Sequence, residues 1–428
     1  MTIWILLLFF GLLIMGMPVG FVVGVSAMAA LYDMGGTSLF SLIPARFYAG
    51  GDLFPLMAMP LFILAGEIMN RTKITHAVIE FANTLVGHVK GGLGHANILA
   101  SIFFAGLTGS AVADTAAIGT MLIPAMEKKG YGRKFAAAVT AASSCIGPII
   151  PPSTIMVIYG SFMGVSIAGM FTAGLVPGLL MAPALMFITR RYAVKHNIPV
   201  AAKRATLKEF FISLKKSILA LMMPIIILGG IMTGWFTPTE AGGVAVLYGL
   251  IVGFFIYRNL TLRDLWEVLE SMTRVTAVVF LILATAAILS WFLAAEQIPQ
   301  QVASGVLDLT SNKYMVLLFI NIILLVVGCF MDQTAALIIL GPVLSPLALG
   351  VGVHPMHFGI IMCLNLVIGL TTPPLGACLF SCCSISKVSV EEISAEIWPM
   401  IIALLIVLGL VTYIPAISMT LPTLLGFV

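Results

Sequence analysis

The chain has 428 residues, of which 61% are hydrophobic and only 9% are charged, and its mean hydropathy is +1.14. Soluble domains carry about 25% charged residues, so this composition excludes a water-soluble fold. The long apolar runs are continuous rather than alternating, which excludes a transmembrane β-barrel and predicts an all-α polytopic membrane protein.

The net charge of +4 is unevenly distributed along the chain. Eight of the 21 basic residues lie between positions 190 and 216, and the positive-inside rule assigns this segment to the cytoplasm. Two hydrophobic halves flank it, so we expect a basic cytoplasmic connector over 196–216 and no binding of nucleic acid. Basic residues at 71–95, 127–134 and 258–274 belong on the same side of the membrane.

The opening apolar run is predicted to remain in the membrane. Its first charged residue is Asp33, and no basic segment precedes it, which argues against a cleaved signal peptide. Gly16 and Pro18 predict that residues 3–31 form two short segments with an external N-terminus. A single long tilted helix is the alternative.

The segment 91–126 is too short for two full spans and a turn, which need about 40 residues. Its middle, "GLTGSAVADT" at 106–115, is small and polar. We predict a re-entrant helical hairpin with its tip near Gly109 and Ser110. Residues 74–88, which precede it, have an amphipathic pattern typical of a helix that lies along the membrane interface.

The next apolar segment, 135–165, contains the double proline Pro151-Pro152 but no charged residue. A proline inside a helix costs about 3 kcal/mol, because it removes a backbone donor and clashes with the preceding turn. Non-helical backbone at membrane depth is tolerated only where it lines a polar cavity. We therefore predict a discontinuous helix that faces a hydrated site.

The second half of the chain repeats these features in the same order. "DTAAIGTMLIP" (114–124) resembles "DQTAALIILGP" (332–342), and the double proline recurs at 373–374, at an offset of 222. The sequence predicts two inverted repeats, 1–195 and 217–428. The second contains a hairpin over about 314–348, with its tip near 328–334, and a broken helix over about 357–386.

Broken helices can bind both anions and cations, because half-helix N-termini attract anions and freed backbone carbonyls coordinate Na⁺. We expect each half to form one sodium site between its hairpin tip and its own break. The predicted sodium ligands are Gly109, Ser110, Ser143, Ser144, Gly147, Gly328, Thr334, Gly369, Thr371 and Thr372. The alternative is that these small residues serve only close helix packing.

Five acidic residues lie in apolar surroundings, namely Glu67, Asp114, Glu240, Glu296 and Asp332. A carboxylate within the membrane is a functional candidate. Asp332 lies at a predicted tip and is a candidate substrate ligand, although its charge would repel a carboxylate substrate. The other substrate-binding candidates are Ser110, Ser153, Pro151 and Pro373.

Four segments together resemble one known family: "GLTGSAVADTAAIGTMLIPAM", "GPIIPPSTIMVIYG", "DQTAALIILGPVLSPLA" and "GLTTPPLGACLF". The chain resembles, over its whole length, the large DctM-like (M-type) membrane subunit of tripartite ATP-independent periplasmic (TRAP) transporters. The resemblance implies an elevator-type secondary transporter of the bacterial inner membrane, in which a scaffold holds a moving domain made of both hairpins and both broken helices.

The same resemblance implies partners, a coupling ion and a substrate class. The partners are a separate four-helix membrane subunit (Q-type) and a periplasmic solute-binding receptor (P-type). The coupling ion is Na⁺, and the substrates are organic anions, including C4-dicarboxylates and sialic acid. A stand-alone divalent-anion/sodium symporter is the alternative, but the Ser-Asn-Thr of its hairpin tips is absent here. A membrane enzyme would need a catalytic constellation that we do not find in the sequence.

Overall fold

The computed structural model describes residues 2–72, 74–200, 204–310 and 312–428. All regular secondary structure in these ranges is helical. The segments that are long and apolar enough to cross a membrane are Val19–Gly51, Ile167–Lys195, Leu207–Met232, Pro238–Ile256, Leu262–Ala295, Lys313–Phe330, Gln333–Gly350 and Val390–Tyr413. The prediction of an all-α polytopic membrane protein is confirmed.

The opening apolar run forms two helices, α1 (Thr2–Ile14) and α2 (Val19–Gly35). Gly16 lies between them with a φ of +82°, a left-handed conformation that glycine adopts without steric cost. Pro18 precedes α2 at its N-cap. A 3₁₀ turn connects α2 to α3 (Leu42–Gly51). The run is therefore divided where its glycine and proline predict, rather than forming one long helix.

The remaining helices of the first half are α4 (Ala58–Arg71), α5 (Ile74–Val86), α6 (Gly92–Thr108), α7 (Ala111–Lys128), α8 (Arg133–Ser144), α9 (Thr154–Met163) and α10 (Ile167–Lys195). Helices α6 and α7 are packed against each other and are joined by Gly109 and Ser110 alone. We call this pair the first hairpin. Helices α8 and α9 are separated by residues 145–153, which we call the first break.

The second half contains α11 (Leu207–Met232), α12 (Pro238–Ile251), α13 (Leu262–Ala295), α14 (Ile298–Leu309), α15 (Lys313–Phe330), α16 (Gln333–Gly350), α17 (Pro355–Gly369), α18 (Ala377–Ser386), α19 (Val390–Tyr413) and α20 (Ala416–Leu424). Helices α15 and α16 form the second hairpin, joined by Met331 and Asp332. Residues 370–376, between α17 and α18, form the second break. Both double prolines contain a cis peptide bond.

Three helices of the second half begin at a threonine capping box. Thr206, Thr237 and Thr261 each exchange hydrogen bonds with an acidic residue three positions later, namely Glu209, Glu240 and Asp264. Such a cap satisfies backbone N–H groups that have no partner inside the helix. Glu240 thus has a structural role at the start of α12, and α11 already begins within the predicted connector.

The two broken helices lie at the centre of the molecule. Every residue from 135 to 153 is buried, and so is every residue from 356 to 371. Helix α8 packs against α7, α18 and α19, while α17 packs against α15, α16 and α19. The amphipathic helices lie outside this centre, with α5 on α6 and α11, and α14 on α16. The first break is therefore enclosed by protein, as polar backbone at membrane depth requires, whereas Pro374 and Leu375 of the second break are exposed.

Candidate functional site

The tip of the first hairpin packs directly on the first break. Gly109 ends α6 in the left-handed conformation, with a φ of +59°. The Thr154 hydroxyl donates a hydrogen bond of 3.3 Å to the Gly109 carbonyl. A Cβ atom at Gly109 would lie only 2.7 Å from the Pro152 carbonyl oxygen. Glycine is thus needed here both for its backbone conformation and for the close approach of the two segments.

Four of the predicted first-half ligands use their polar groups within the protein. Ser110 is the N-cap of α7 and accepts a hydrogen bond from the Ala113 amide. The Ser143 hydroxyl interacts with Ser101 at 2.9 Å, and the Ser144 hydroxyl donates to the Thr140 carbonyl at 2.8 Å. The Gly147 amide donates to the Ser144 carbonyl at 3.2 Å. The hydroxyl oxygen of Ser144 keeps lone pairs that could contact a cation.

Asp114 provides a second contact between the first hairpin and the first break. It is fully buried in the first turn of α7, and Thr108 donates a hydrogen bond to its Oδ1 atom. Its Oδ2 atom is buried without a partner among the described residues. A Cβ atom at Gly147 would overlap this Oδ2 atom. An orphaned, buried carboxylate oxygen beside freed helix ends fits the ligand set that a hard cation such as Na⁺ prefers.

In the second half, the hairpin approaches its break through two glycines. A Cβ atom at Gly369 would lie 2.5 Å from the backbone carbon of Gly328. Both glycines are buried, so the structure brings these two predicted ligands together by direct backbone packing. The hydroxyls of Thr371 and Thr372 both donate to the Ile368 carbonyl at 2.9 Å. The hydroxyl oxygens of Thr371 and Thr372, like that of Ser144, therefore keep lone pairs that could contact a cation.

The second tip also contains a buried oxygen without a partner. Asp332 is exposed and caps α16, and its Oδ1 atom accepts a hydrogen bond of 2.8 Å from the Thr334 amide. Gln333 follows it, is 7% exposed, and has its Oε1 atom buried with no partner in the described part of the chain. Aligning Thr115 with Thr334 makes Gln333 the counterpart of Asp114. Each half thus presents one unpartnered oxygen at the same position.

The two breaks contact each other. The Cys145 thiol lies 3.2 Å from the Val367 carbonyl oxygen, to which it donates, and 3.7 Å from the Thr371 hydroxyl. Cys145 and Val367 are separated by 222 residues, which is also the offset between the double prolines. A residue that contacts its own counterpart lies where two related segments cross.

Both hairpin tips reach one cavity of about 600 Å³. One wall comes from α4 and α13, and includes Glu67, Asn70 and Arg274. The other wall comes from the hairpins and from α9, and its polar residues are Thr108, Ser110, Thr154, Asp332, Gln333 and Thr334. Cavities of roughly 300–1,000 Å³ with a few convergent polar groups are typical of small-molecule sites.

Only some of the predicted substrate ligands line this cavity. Ser110 and Asp332 line it. Of the described residues, Pro151, Ser153 and Pro373 are not part of its lining. Ser153 is buried, caps α9 by accepting from the Met156 amide, and donates to the Pro148 carbonyl. The neighbouring Thr154 contributes to the cavity instead.

Comparisons with known proteins identify the family. A family model described as "Tripartite ATP-independent periplasmic transporter, DctM component" matches residues 6–417. The chain is 41% identical to the sialic acid TRAP transporter large permease protein SiaM of Vibrio cholerae, over 97% of each chain. It is 35% identical to the C4-dicarboxylate TRAP transporter large permease protein DctM of Rhodobacter capsulatus, over 98% of this chain and 99% of that protein.

The chain belongs to the DctM family. The resemblance found in its motifs is confirmed, and relatives of this kind are named as permeases rather than enzymes. A solved structure of the same fold is the Alcanivorax borkumensis YdaH transporter, with a TM-score of 0.61 and 16% identity over 88% of this chain and 87% of that one.

Three residues at this site are not among the ligands that the sequence predicts, namely Asp114, Gln333 and Arg274. Asp114 was only one of five candidate acids, although its position four residues after Ser110 indicates the same face of a helix. Gln333 follows from aligning the two threonine motifs. No sequence feature other than its charge indicated Arg274, because the packing of α13 against α4 and α16 brings it to the cavity.

Proposed function

We propose that this protein is the transport subunit of a sodium-coupled secondary importer that moves an organic acid anion across the bacterial inner membrane. A periplasmic solute receptor delivers the anion. The observation that carries this proposal is the cavity shared by both hairpin tips, with Arg274 in its opposite wall. The names of SiaM and DctM, which refer to sialic acid and C4-dicarboxylates, support a carboxylate substrate.

Arg274 provides the positive charge that a carboxylate substrate needs. In the structure its guanidinium pairs with Glu270 at 2.8 Å, one helical turn away on α13, and its side chain is largely exposed. A bidentate arginine–carboxylate pair is among the strongest charge-assisted contacts. The Ser110 hydroxyl supplies a donor from the hairpin side of the cavity. Asp332 is then an acceptor for the hydroxyl or amide groups of the substrate.

Sodium ions would bind beside this cavity, one in each half. The supporting observations are the unpartnered oxygens of Asp114 and Gln333 and the hydroxyls of Ser144, Thr371 and Thr372. These oxygen ligands suit a hard cation. Asp114 would also neutralise the ion's charge, which is required in a site enclosed by apolar protein.

The division of the cavity walls supports an elevator mechanism. Helices α4 and α13 would belong to the scaffold, and the hairpins with the broken helices would form the moving unit. Arg71, at the end of α4, forms a salt bridge of 2.9 Å with Glu267 of α13. Because these basic helix ends belong to the cytoplasmic side, the cavity would open inward. A small membrane subunit of four helices would pack against the scaffold.

Uptake by purified components tests this function. The chain is reconstituted into liposomes with its small subunit, and radiolabelled organic acid uptake is measured with and without a Na⁺ gradient and the cognate receptor. We expect uptake only when both are present. Rapid uptake without the receptor would contradict the proposal and favour a stand-alone symporter, and a thermal-shift screen of the receptor against organic acids identifies the substrate.

A matched pair of arginine variants tests the substrate wall. Arg274→Gln should raise the half-saturating substrate concentration by about ten- to a hundredfold, because the lost charge-assisted contact is worth about 1.5–3 kcal/mol. Arg263→Gln is the control, since Arg263 forms the same kind of (i, i+4) pair with Glu267 on α13 but does not line the cavity. Equal effects of the two variants would remove Arg274 from the substrate site.

A further inference from the structure

A second cavity, of about 570 Å³, lies far from the hairpin tips, where the turn between α5 and α6 meets α10. The turn contributes Val86, Val89 and Lys90, and α10 contributes Phe187 and Arg190. The transport site uses none of these residues.

Close backbone packing holds the two sides of this cavity together. Gly91 has a φ of +88°, and a Cβ atom there would lie 3.3 Å from the Cβ atom of Ala193 on α10. A Cβ atom at Gly94 would overlap the side chain of Thr189. The His95 ring, through Nε2, lies 3.1 Å from the Lys90 carbonyl, to which it donates. The turn is therefore fixed against α10, with Lys90 and Arg190 beside the same opening.

The two cations of this cavity form no salt bridge with any residue that the structure describes. Within the described ranges, the salt bridges that involve lysine or arginine use other residues than Lys90 and Arg190. The residues that line the cavity include no acid. Its apolar wall is open, since Phe187 is 65% exposed and Val89 is 38% exposed. Two free cations above an exposed apolar wall match the chemistry of an anionic amphiphile.

The cavity lies at the basic end of the molecule. The Phe135 ring stacks on Tyr192 with 3.5 Å between centroids, which brings the basic turn 127–134 next to the end of α10. This end faces the cytoplasm by the positive-inside rule, and the cytoplasmic leaflet carries anionic lipids. Basic pockets between helices on this side bind lipid phosphates.

We propose that this cavity binds the headgroup of an anionic phospholipid. Lys90 and Arg190 contact the phosphate, and the acyl chains lie along Val89 and Phe187. The lipid joins the interfacial helix α5 to α10 and fills a gap that the protein alone leaves open.

Lipid titration of the full-length protein in detergent tests this site. The thermal midpoint is measured against phosphatidylglycerol, phosphatidylcholine and inorganic phosphate. We expect only phosphatidylglycerol to raise the midpoint of the wild type. The double variant Lys90→Gln/Arg190→Gln should bind it about thirtyfold more weakly, since each cation near the membrane surface contributes a factor of about five.

Two further variants make the result decisive. Lys128→Gln/Lys195→Gln removes the same charge from the same end of the molecule, at exposed residues outside the cavity, and should bind as the wild type does. Lys90→Arg/Arg190→Lys keeps the charge and should also retain binding. An equal loss in the first control would mean diffuse surface attraction and overturn the proposal. An equal shift with inorganic phosphate would overturn the lipid assignment.

Discussion

The two hairpin tips have the same design, but they place their acidic residue differently. In the first, Asp114 directly precedes Thr115, whereas in the second Gln333 separates Asp332 from Thr334. The extra residue moves Asp332 to the N-cap of α16, where it is exposed in the cavity. Gln333 occupies the buried position instead, and its oxygen, like that of Asp114, has no partner in the described structure. What the halves share is a buried oxygen, and only in the first does it belong to an ionisable carboxyl group.

The contact between hairpin and break differs in a related way. In the first half, the carboxylate of Asp114 meets Gly147, while in the second the backbones of Gly328 and Gly369 touch. The first of these contacts involves a carboxyl group, and the second involves only backbone atoms. Substitutions in the two halves should therefore fail by different mechanisms, one through ion binding and one through packing.

Asp114→Asn should have the largest effect, because the amide keeps the shape but removes the only charge at the proposed first-half ion. We expect the half-saturating Na⁺ concentration to rise about a hundredfold, as for a loss of about 3 kcal/mol. Sodium dependence of uptake in liposomes measures this. Gln333→Leu, which removes the neutral counterpart, should have a smaller effect, and a reversed order would contradict the comparison.

Gly369→Ala should destabilise the protein by about 2 kcal/mol, since the added methyl group is forced onto the Gly328 backbone in a closely packed region. The thermal midpoint of the purified protein should fall by a few degrees. Gly409→Ala on α19 is the control, because no atom lies within 4 Å of the added carbon there. Equal midpoints for the two variants would show that the contact can relax.

Asp332→Asn should lower the uptake rate about tenfold while leaving the Na⁺ dependence and the assembled complex unchanged. The reason is that Asp332 lies in the cavity rather than inside the protein. Uptake at saturating Na⁺ and size-exclusion chromatography measure the two quantities. A change in Na⁺ affinity as large as that of Asp114→Asn would mean that both acids serve the ion.

Thr372→Val should have the smallest effect, about a fourfold loss of Na⁺ affinity, because one neutral ligand oxygen among several is removed. Thr233→Val is a matched control. Its hydroxyl also donates to the carbonyl four residues earlier, at 2.7 Å, but it lies outside the breaks. Unchanged Na⁺ affinity in both variants would remove Thr372 from the site and favour a packing role.

The sequence was sufficient for features that depend on local chemistry. Gly16, Pro18 and both double prolines lie where helices are interrupted, so the sequence itself indicates the positions of these interruptions. The composition around Gly109 and Ser110 likewise located the first tip. Such features can be read from the sequence because backbone dihedrals and missing donors act on neighbouring residues.

Contacts between distant segments could not be derived in this way. The approach of Asp114 to Gly147, and of Arg274 to the tips, depends on how whole helices pack. Ser153 and Thr154 illustrate the limit, because successive residues of a helix point about 100° apart. Sequence spacing does not determine which of the two faces the cavity, and the structure selects Thr154.

The hydrogen bond from Cys145 to the Val367 carbonyl means that the two breaks share one boundary. The first break therefore contacts a carbonyl of α17 directly, and the same thiol lies 3.7 Å from the Thr371 hydroxyl of the second break. By thermodynamic linkage, any change in affinity that a ligand at one break causes at the other must be matched by an equal factor in the reverse direction. This contact between a thiol and a carbonyl gives the two proposed ion sites a physical route for such coupling.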